Sequence, residues 1–231
     1  MPVRAPVRTH PGDAMSGFFL AIAGNIGVGK TELTNRLSSE LGWAAHYEPV
    51  IQNPYLDPFY KDMPRWSFHL QIYFLGERFK AQVEIGRSSL PFIQDRTIYE
   101  DAEIFAKTLW QQGSMTDVDY ENYVSLFRCM VGFLRPPDLI VYLKASPETL
   151  MGRIAKRGRE SEKAIDLGYI RRLNDAYDDW MRRAALEGEV LTIDTDTVPL
   201  QGDTPAFRGL VDRLKRRYPP QAELRLDTGR D

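Results

Sequence analysis

Apolar residues along this chain follow two alternating rhythms. Phe18-Phe19-Leu20-Ala21-Ile22-Ala23 and Leu139-Ile140-Val141-Tyr142-Leu143 are unbroken apolar runs next to glycine or proline. Short runs without polar alternation suit strands covered on both faces. Three weaker runs, 43–47, 92–94 and 190–193, have the same character. Elsewhere apolar residues recur every three or four positions, which predicts helices over 31–41, 67–86, 117–134, 147–159, 167–186 and 207–218. The expected inner faces are Leu33, Leu37 and Leu41 on the first helix, and Phe68, Ile72, Leu75, Phe79 and Val83 on the second. On the third they are Tyr120, Val124, Phe127, Val131 and Leu134.

Strands separated by helices favour a parallel sheet, because each parallel crossover places a helix on a face of the sheet. The expected fold is a three-layer α/β/α arrangement with a five-stranded parallel sheet. Such sheets bind ligands beyond the carboxyl ends of their strands, so chemistry should reside in the segments just after each run.

Composition narrows the partners. The formal net charge is -2 with both signs well mixed, which speaks against a nucleic-acid binder, since those usually carry a basic excess. A single cysteine, Cys129, rules out a disulfide within the chain and suits a reducing, cytoplasmic compartment. Its apolar helical neighbours predict that it is buried. No run approaches the ~18 consecutive apolar residues of a membrane helix. Residues 1–17 read as a disordered leader, 18–218 as one domain and 219–231 as a tail.

The sharpest local signal follows the first strand. Gly24-Asn25-Ile26-Gly27-Val28-Gly29-Lys30-Thr31 fills every fixed position of G-x-x-x-x-G-K-[ST] between a strand and a helix. Glycines allow backbone N–H groups to converge on phosphate oxygens at the positive end of a helix. Lys30 would neutralise the β/γ oxygens of a nucleoside triphosphate, and the Thr31 hydroxyl would ligate Mg²⁺. The motif therefore predicts a P-loop NTPase-type fold that takes a nucleoside triphosphate, without deciding what happens to the γ-phosphate.

Two carboxylates end other strands: Glu48 after 43–47 and Asp95 after 92–94, the latter followed by Arg96. A carboxylate there can take a proton from an acceptor or hold the metal, and Arg96 can stabilise transferring charge. Arg153 and Arg157 share one face of a predicted helix that Gly158 ends, with Arg159 beyond it. Guanidinium groups at such an end suit phosphate oxygens and predict a short arginine-rich lid. Asp194 and Asp196 follow the last strand, where they could flank an adenine loop. His46 and His69 read as fillers and not as metal ligands.

Taken together these residues resemble the deoxyribonucleoside kinases, most closely the bacterial deoxyadenosine/deoxycytidine kinases. The resemblance runs from about Phe18 to about Tyr218. It is carried by the phosphate loop, Asn53-Pro54-Tyr55-Leu56, the stretch from Arg65 to Tyr73, Gln94-Asp95-Arg96-Thr97-Ile98-Tyr99-Glu100-Asp101, and Lys156-Arg157-Gly158-Arg159. It implies ATP- and Mg²⁺-dependent phosphorylation of a deoxyribonucleoside 5′-hydroxyl in salvage. Deoxyadenosine comes first, with deoxycytidine or deoxyguanosine as the other acceptors it admits.

The resemblance also assigns roles. Glu48 would be the base, and Arg96 would clamp the 5′-oxygen and the phosphoryl group. Asp95 would order Mg²⁺ through water; many animal relatives carry glutamate there. Tyr60 and Glu162 would hold the sugar 3′-hydroxyl. Gln71 would read the base edge, since an amide offers a donor beside an acceptor. Arg78 and Asp101 would complete the base end, and Phe105, Trp66 and Tyr73 would wall it. A homodimer through the 67–86 and 117–134 helices is a further implication. The competing reading, a thymidylate-type nucleoside monophosphate kinase, shares the loop and lid, but Glu48 would repel an acceptor phosphate.

Overall fold

The computed structural model describes residues 17–47 and 53–218. At its centre lies β1 (Phe19–Gly24), all six residues of which are buried. On one side β1 pairs with β3 (Phe92–Asp95), and β3 with β2 (Ala44–His46). On the other it pairs with β4 (Leu139–Lys144), and β4 with β5 (Val190–Asp194). All four pairings are parallel, giving one sheet in the order β2-β3-β1-β4-β5. The expected five-stranded parallel α/β architecture is therefore the observed one.

The order decides where the site lies. After β1 the chain passes through α1 (Lys30–Leu41) toward β2, and after β4 it passes through α7 (Pro147–Arg157) toward β5. Neighbouring strands whose connections leave in opposite directions open a crevice at their carboxyl ends. Register brings the key residues level with it. Ile22 faces Asp95 across β1 and β3, and Gly24 faces Leu143 across β1 and β4.

The remaining helices are α2 (Leu56–Lys61), α3 (Met63–Arg87), α4 (Ile98–Glu100), α5 (Lys107–Gln111), α6 (Asp117–Val131), α8 (Leu167–Glu187) and α9 (Pro205–Arg217). A π-helical turn, Asp101–Ala106, joins α4 to α5, and a 3₁₀ turn, Glu160–Ala164, precedes α8. Sequence cues set most ends. Asp62, Thr116, Ser146, Asp166 and Thr204 each accept a backbone N–H of the turn they cap, and proline follows at the start of α3, α7 and α9. Gly158, with φ of +67°, closes α7 as expected of a C-terminal glycine. No helix among the described residues is long and apolar enough to cross a membrane.

Three expectations need correction. The inward face of α3 carries Leu70, Gln71, Phe74, Leu75, Arg78, Gln82 and Ile85; Leu75 is buried as expected, whereas Phe68, Ile72, Phe79 and Val83 are only partly buried. Reading polar residues as outward misassigned this face, because here they point in and find partners: Gln82 Oε1 accepts the Ile98 N–H at 3.1 Å. On α6 the fully inward residues are Tyr123, Phe127 and Val131, with Tyr120 and Val124 half-buried. Cys129 is exposed, on the opposite side of that helix.

Two helical segments gave no periodic signal. In α2, Pro58 sits within the first turn, where its missing N–H costs nothing. The stretch from Ile98 to Ala106 is buried nearly all round, polar Glu100 and Asp101 included, and a π turn adds a residue to its period.

Candidate active site

The phosphate loop owes its shape to glycine. Gly24 has φ of +144°, and a Cβ there would lie 2.5 Å from the Leu143 carbonyl oxygen of the paired strand. Gly29, at φ of +104°, faces open space and starts α1. Lys30 turns back on the loop and donates from Nζ to the carbonyls of Gly24 (2.8 Å) and Asn25 (3.0 Å). That places the ammonium inside the ring of backbone amides. Asn25 ties the loop to α8: its Nδ2 donates to Ile170 O (3.0 Å) and Asn174 Oδ1 (2.6 Å), while its Oδ1 accepts from Ile26 N (2.7 Å).

Beside the loop, Thr31 Oγ1 donates to Asp95 Oδ2 at 2.5 Å. Two hard oxygen donors flanking a phosphate loop fit Mg²⁺, which takes few protein ligands and completes its shell with phosphates and water. Among the described residues no group of three or more His, Cys, Asp or Glu side chains could form an all-protein cage.

Arg96 is the only residue other than glycine with positive φ, +68°, among those described. A left-handed conformation costs an L-residue about 1–2 kcal/mol, so its surroundings must hold it. Its N–H donates to Ile22 O at 3.1 Å and its Nη2 to Gly24 O at 3.3 Å. Its guanidinium lies 4.3 Å from the Phe105 ring centre. Beneath it is Glu100, which is fully buried. Glu100 accepts hydrogen bonds from Gly24 N (3.3 Å), Thr97 N (3.0 Å) and Tyr177 Oη (2.7 Å), with Arg96 Nε at 3.9 Å. Burial pushes the Glu100 carboxyl above the ordinary carboxylate range; Arg96, Lys30 and its hydrogen-bond donors pull it back. Burial likewise raises the Tyr177 hydroxyl, so it remains a donor.

Loop, arginine and lid border one cleft of about 1060 Å³. Its walls include Tyr60, Gln71, Asp101, Phe105 and Glu162 at one end and Arg153, Thr195 and Leu200 at the other. Gln71 Oε1 is buried and makes no hydrogen bond among the described residues. Arg78 lies behind Asp101 and not on the wall: its Nη1 reaches both Asp101 carboxylate oxygens at 2.5 Å, with both side chains almost fully buried. Arg157 and Arg159 close on Glu162, with contacts of 2.7 and 3.4 Å. Arg153 braces the loop after β5, donating to Thr195 Oγ1 (2.9 Å), Thr195 O (3.0 Å) and Val28 O (3.3 Å).

The structure thus brings together Lys30, Thr31, Asp95, Arg96, Tyr60, Gln71, Asp101, Phe105, Glu162 and the lid arginines. Glu48 lies outside the described residues, as do the tail and all of the leader except Gly17. Trp66 and Tyr73 pack on Tyr55, ring centres 5.9 and 6.1 Å away, and not against the cleft. Asp196 is spent on Ser146 N (2.8 Å); Thr195 and the residues from Val198 to Gln201 form the wall there instead. Sequence reasoning missed Phe59, Phe74 and Tyr169 on the wall, and Glu100 and Tyr177 behind it. Only Glu100 had a local signature, the capping box Thr97-x-x-Glu100 at the start of α4.

Comparison with known proteins identifies the family. The deoxynucleoside kinase family model matches residues 20–217. A Bacillus subtilis deoxyadenosine/deoxycytidine kinase is 41% identical over 197 residues, covering 84% of this chain and 90% of that protein. A Dictyostelium discoideum deoxyadenosine kinase is 43% identical over 169 residues, covering 73% and 69%. A solved deoxyadenosine kinase from M. mycoides with bound dATP superposes with a TM-score of 0.76 at 29% identity, over 86% of this chain and 99% of that one. The chain belongs to the deoxynucleoside kinase family.

Proposed function

We propose that this kinase transfers the γ-phosphoryl group of ATP to the 5′-hydroxyl of a deoxyribonucleoside, with deoxyadenosine ahead of deoxycytidine and deoxyguanosine. The observation that carries the base preference is Gln71 Oε1, a buried acceptor on the wall that bears Phe105 and Asp101. An unsatisfied buried acceptor costs about 1–3 kcal/mol. An exocyclic amino group of adenine or cytosine would satisfy it, and the amide nitrogen would face the adjacent ring nitrogen. The Phe105 ring supplies a stacking face. The cleft has room for donor and acceptor together.

In this reading the phosphate loop and Lys30 hold the β- and γ-phosphates. Thr31 and Asp95 would hold Mg²⁺, which would supply neutralisation of the phosphate charge. Arg96 stabilises charge on the transferring group, and the lid arginines 153, 157 and 159 cover the donor. Glu48 accepts the 5′-hydroxyl proton as the new P–O bond forms and the bond to the β,γ-bridging oxygen breaks, releasing ADP. Tyr60 and Glu162 take the 3′-hydroxyl. The half-exposed apolar face of α3, with exposed Val118, Leu126 and Phe133 on and just beyond α6, supports a homodimer across these helices. The single cysteine is consistent with a cytoplasmic place in deoxynucleotide salvage.

The test is steady-state phosphorylation with ATP·Mg²⁺ and each of the four deoxynucleosides, adenosine and deoxyadenosine monophosphate. Deoxyadenosine should give the highest kcat/KM. Phosphorylation of the monophosphate alone would overturn the acceptor assignment.

A further inference from the structure

One buried carboxylate has no part in the mechanism above. Glu100 does not border the cleft, yet it lies under the residues that do. We infer that Glu100 is a positioning residue for phosphoryl transfer, whose carboxylate locks the first peptide of the phosphate loop to the turn that carries Arg96. The inference rests on the proposed role of Arg96.

The hydrogen bonds form a closed figure. Gly24 is held from both sides of its backbone. Its N–H donates to Glu100 Oε1 at 3.3 Å, and its C=O accepts from Arg96 Nη2 at 3.3 Å and Lys30 Nζ at 2.8 Å. The other Glu100 oxygen accepts the Thr97 N–H at 3.0 Å, completing the capping box immediately after Arg96. That bond braces the strained φ of +68° from its carboxyl-terminal side. One side chain therefore sets the phosphate loop, the strained turn and the depth at which the guanidinium sits. Tyr177 Oη, at 2.7 Å on Oε1, brings in α8, the helix that follows the lid.

A carboxylate is the group this arrangement needs. Three donors converge on it with a guanidinium nearby, and a carboxylate is acceptor-only when ionised. An amide of the same volume would turn an NH₂ toward at least one of those donors. Glu100→Gln therefore leaves packing nearly unchanged while loosening the link between loop and arginine.

The experiment compares kcat, KM for ATP and for deoxyadenosine, and the melting temperature of the full chain as wild type, Glu100→Gln, Tyr177→Phe and Arg96→Lys, and as each of the first two variants combined with Arg96→Lys. Tyr177→Phe, which deletes only one donor, serves as a milder probe should Glu100→Gln fold poorly. Glu100→Gln should lower kcat by about tenfold or more, with both KM values within about threefold. Tyr177→Phe should lower kcat by about threefold on the same pattern. Each, combined with Arg96→Lys, should be scarcely slower than Arg96→Lys alone, because residues acting as one unit are not additive. Unchanged kcat in both probes, or losses that multiply fully with that of Arg96→Lys, would overturn the inference. If Arg96→Lys itself retained full kcat, the catalytic reading of Arg96 would fail first, an outcome readable apart from either probe.

Discussion

Thr31 Oγ1 and Asp95 Oδ2 meet at 2.5 Å, joining the first turn of the helix after the phosphate loop to the end of the neighbouring strand. The two residues are far apart in sequence; the parallel register of β1 and β3 sets Asp95 level with Ile22, just before the loop that leads to Thr31. Asp95→Asn keeps the volume but removes the charge beside the proposed metal position. Metal affinity or activity should fall about 10- to 100-fold. The check is a magnesium titration of the initial rate, in which the half-saturating concentration should move upward while the melting temperature stays near that of wild type.

Gln71→Leu should separate function from stability. Its Oε1 is buried with no hydrogen bond among the described residues, so removing it relieves a folding penalty. The melting temperature should hold or rise. kcat/KM for deoxyadenosine should drop by about 100-fold, because the hydrogen-bonding edge proposed to read the base is gone. Parallel assays with deoxyadenosine and thymidine would show the discrimination narrowing.

Arg78 and Asp101 are almost fully buried and paired with each other, so losing the carboxylate removes a charge partner from a buried guanidinium. Asp101→Ala should lower unfolding stability by about 3–5 kcal/mol, read as a lower urea midpoint with little change in slope. Arg157 and Glu162 form a pair whose arginine is about one-third exposed. Arg157→Ala should cost less than about 1 kcal/mol, with its main effect on KM for ATP.

Gly24→Ala and Gly29→Ala should differ in degree. A methyl group at Gly24 meets the Leu143 carbonyl oxygen at 2.5 Å, and sheet pairing prevents that backbone from yielding. This variant should melt well below wild type and fail to bind nucleotide in calorimetry. At Gly29 a methyl group meets nothing within 4 Å, so only the φ of +104° opposes it, at a cost of about 1–2 kcal/mol. Its melting temperature should fall by less.

Much of this protein is determined by its sequence alone, because the relevant physics is local. An unbroken apolar run has no polar face to show to water, so β1 and β4 could only be buried strands. The phosphate loop depends on residues that follow one another, and Gly158 ends α7 through its own backbone freedom. The residues around the phosphate loop were therefore legible as neighbours, and Lys30, Thr31, Asp95 and Arg96 do border one cleft. The rest was decided by tertiary structure. Burial side follows what a residue meets: Arg78 and Gln82 face inward on α3 because their partners come from another segment, and Gln71 faces inward onto the cleft. A polarity pattern counts them as exterior and so turns the helix the wrong way. Cys129 erred in the opposite sense, since apolar neighbours in sequence need not share its side of a helix. Glu100 and Tyr177 stand 77 positions apart and acquire meaning only when folding sets them 2.7 Å from each other, behind the cleft wall.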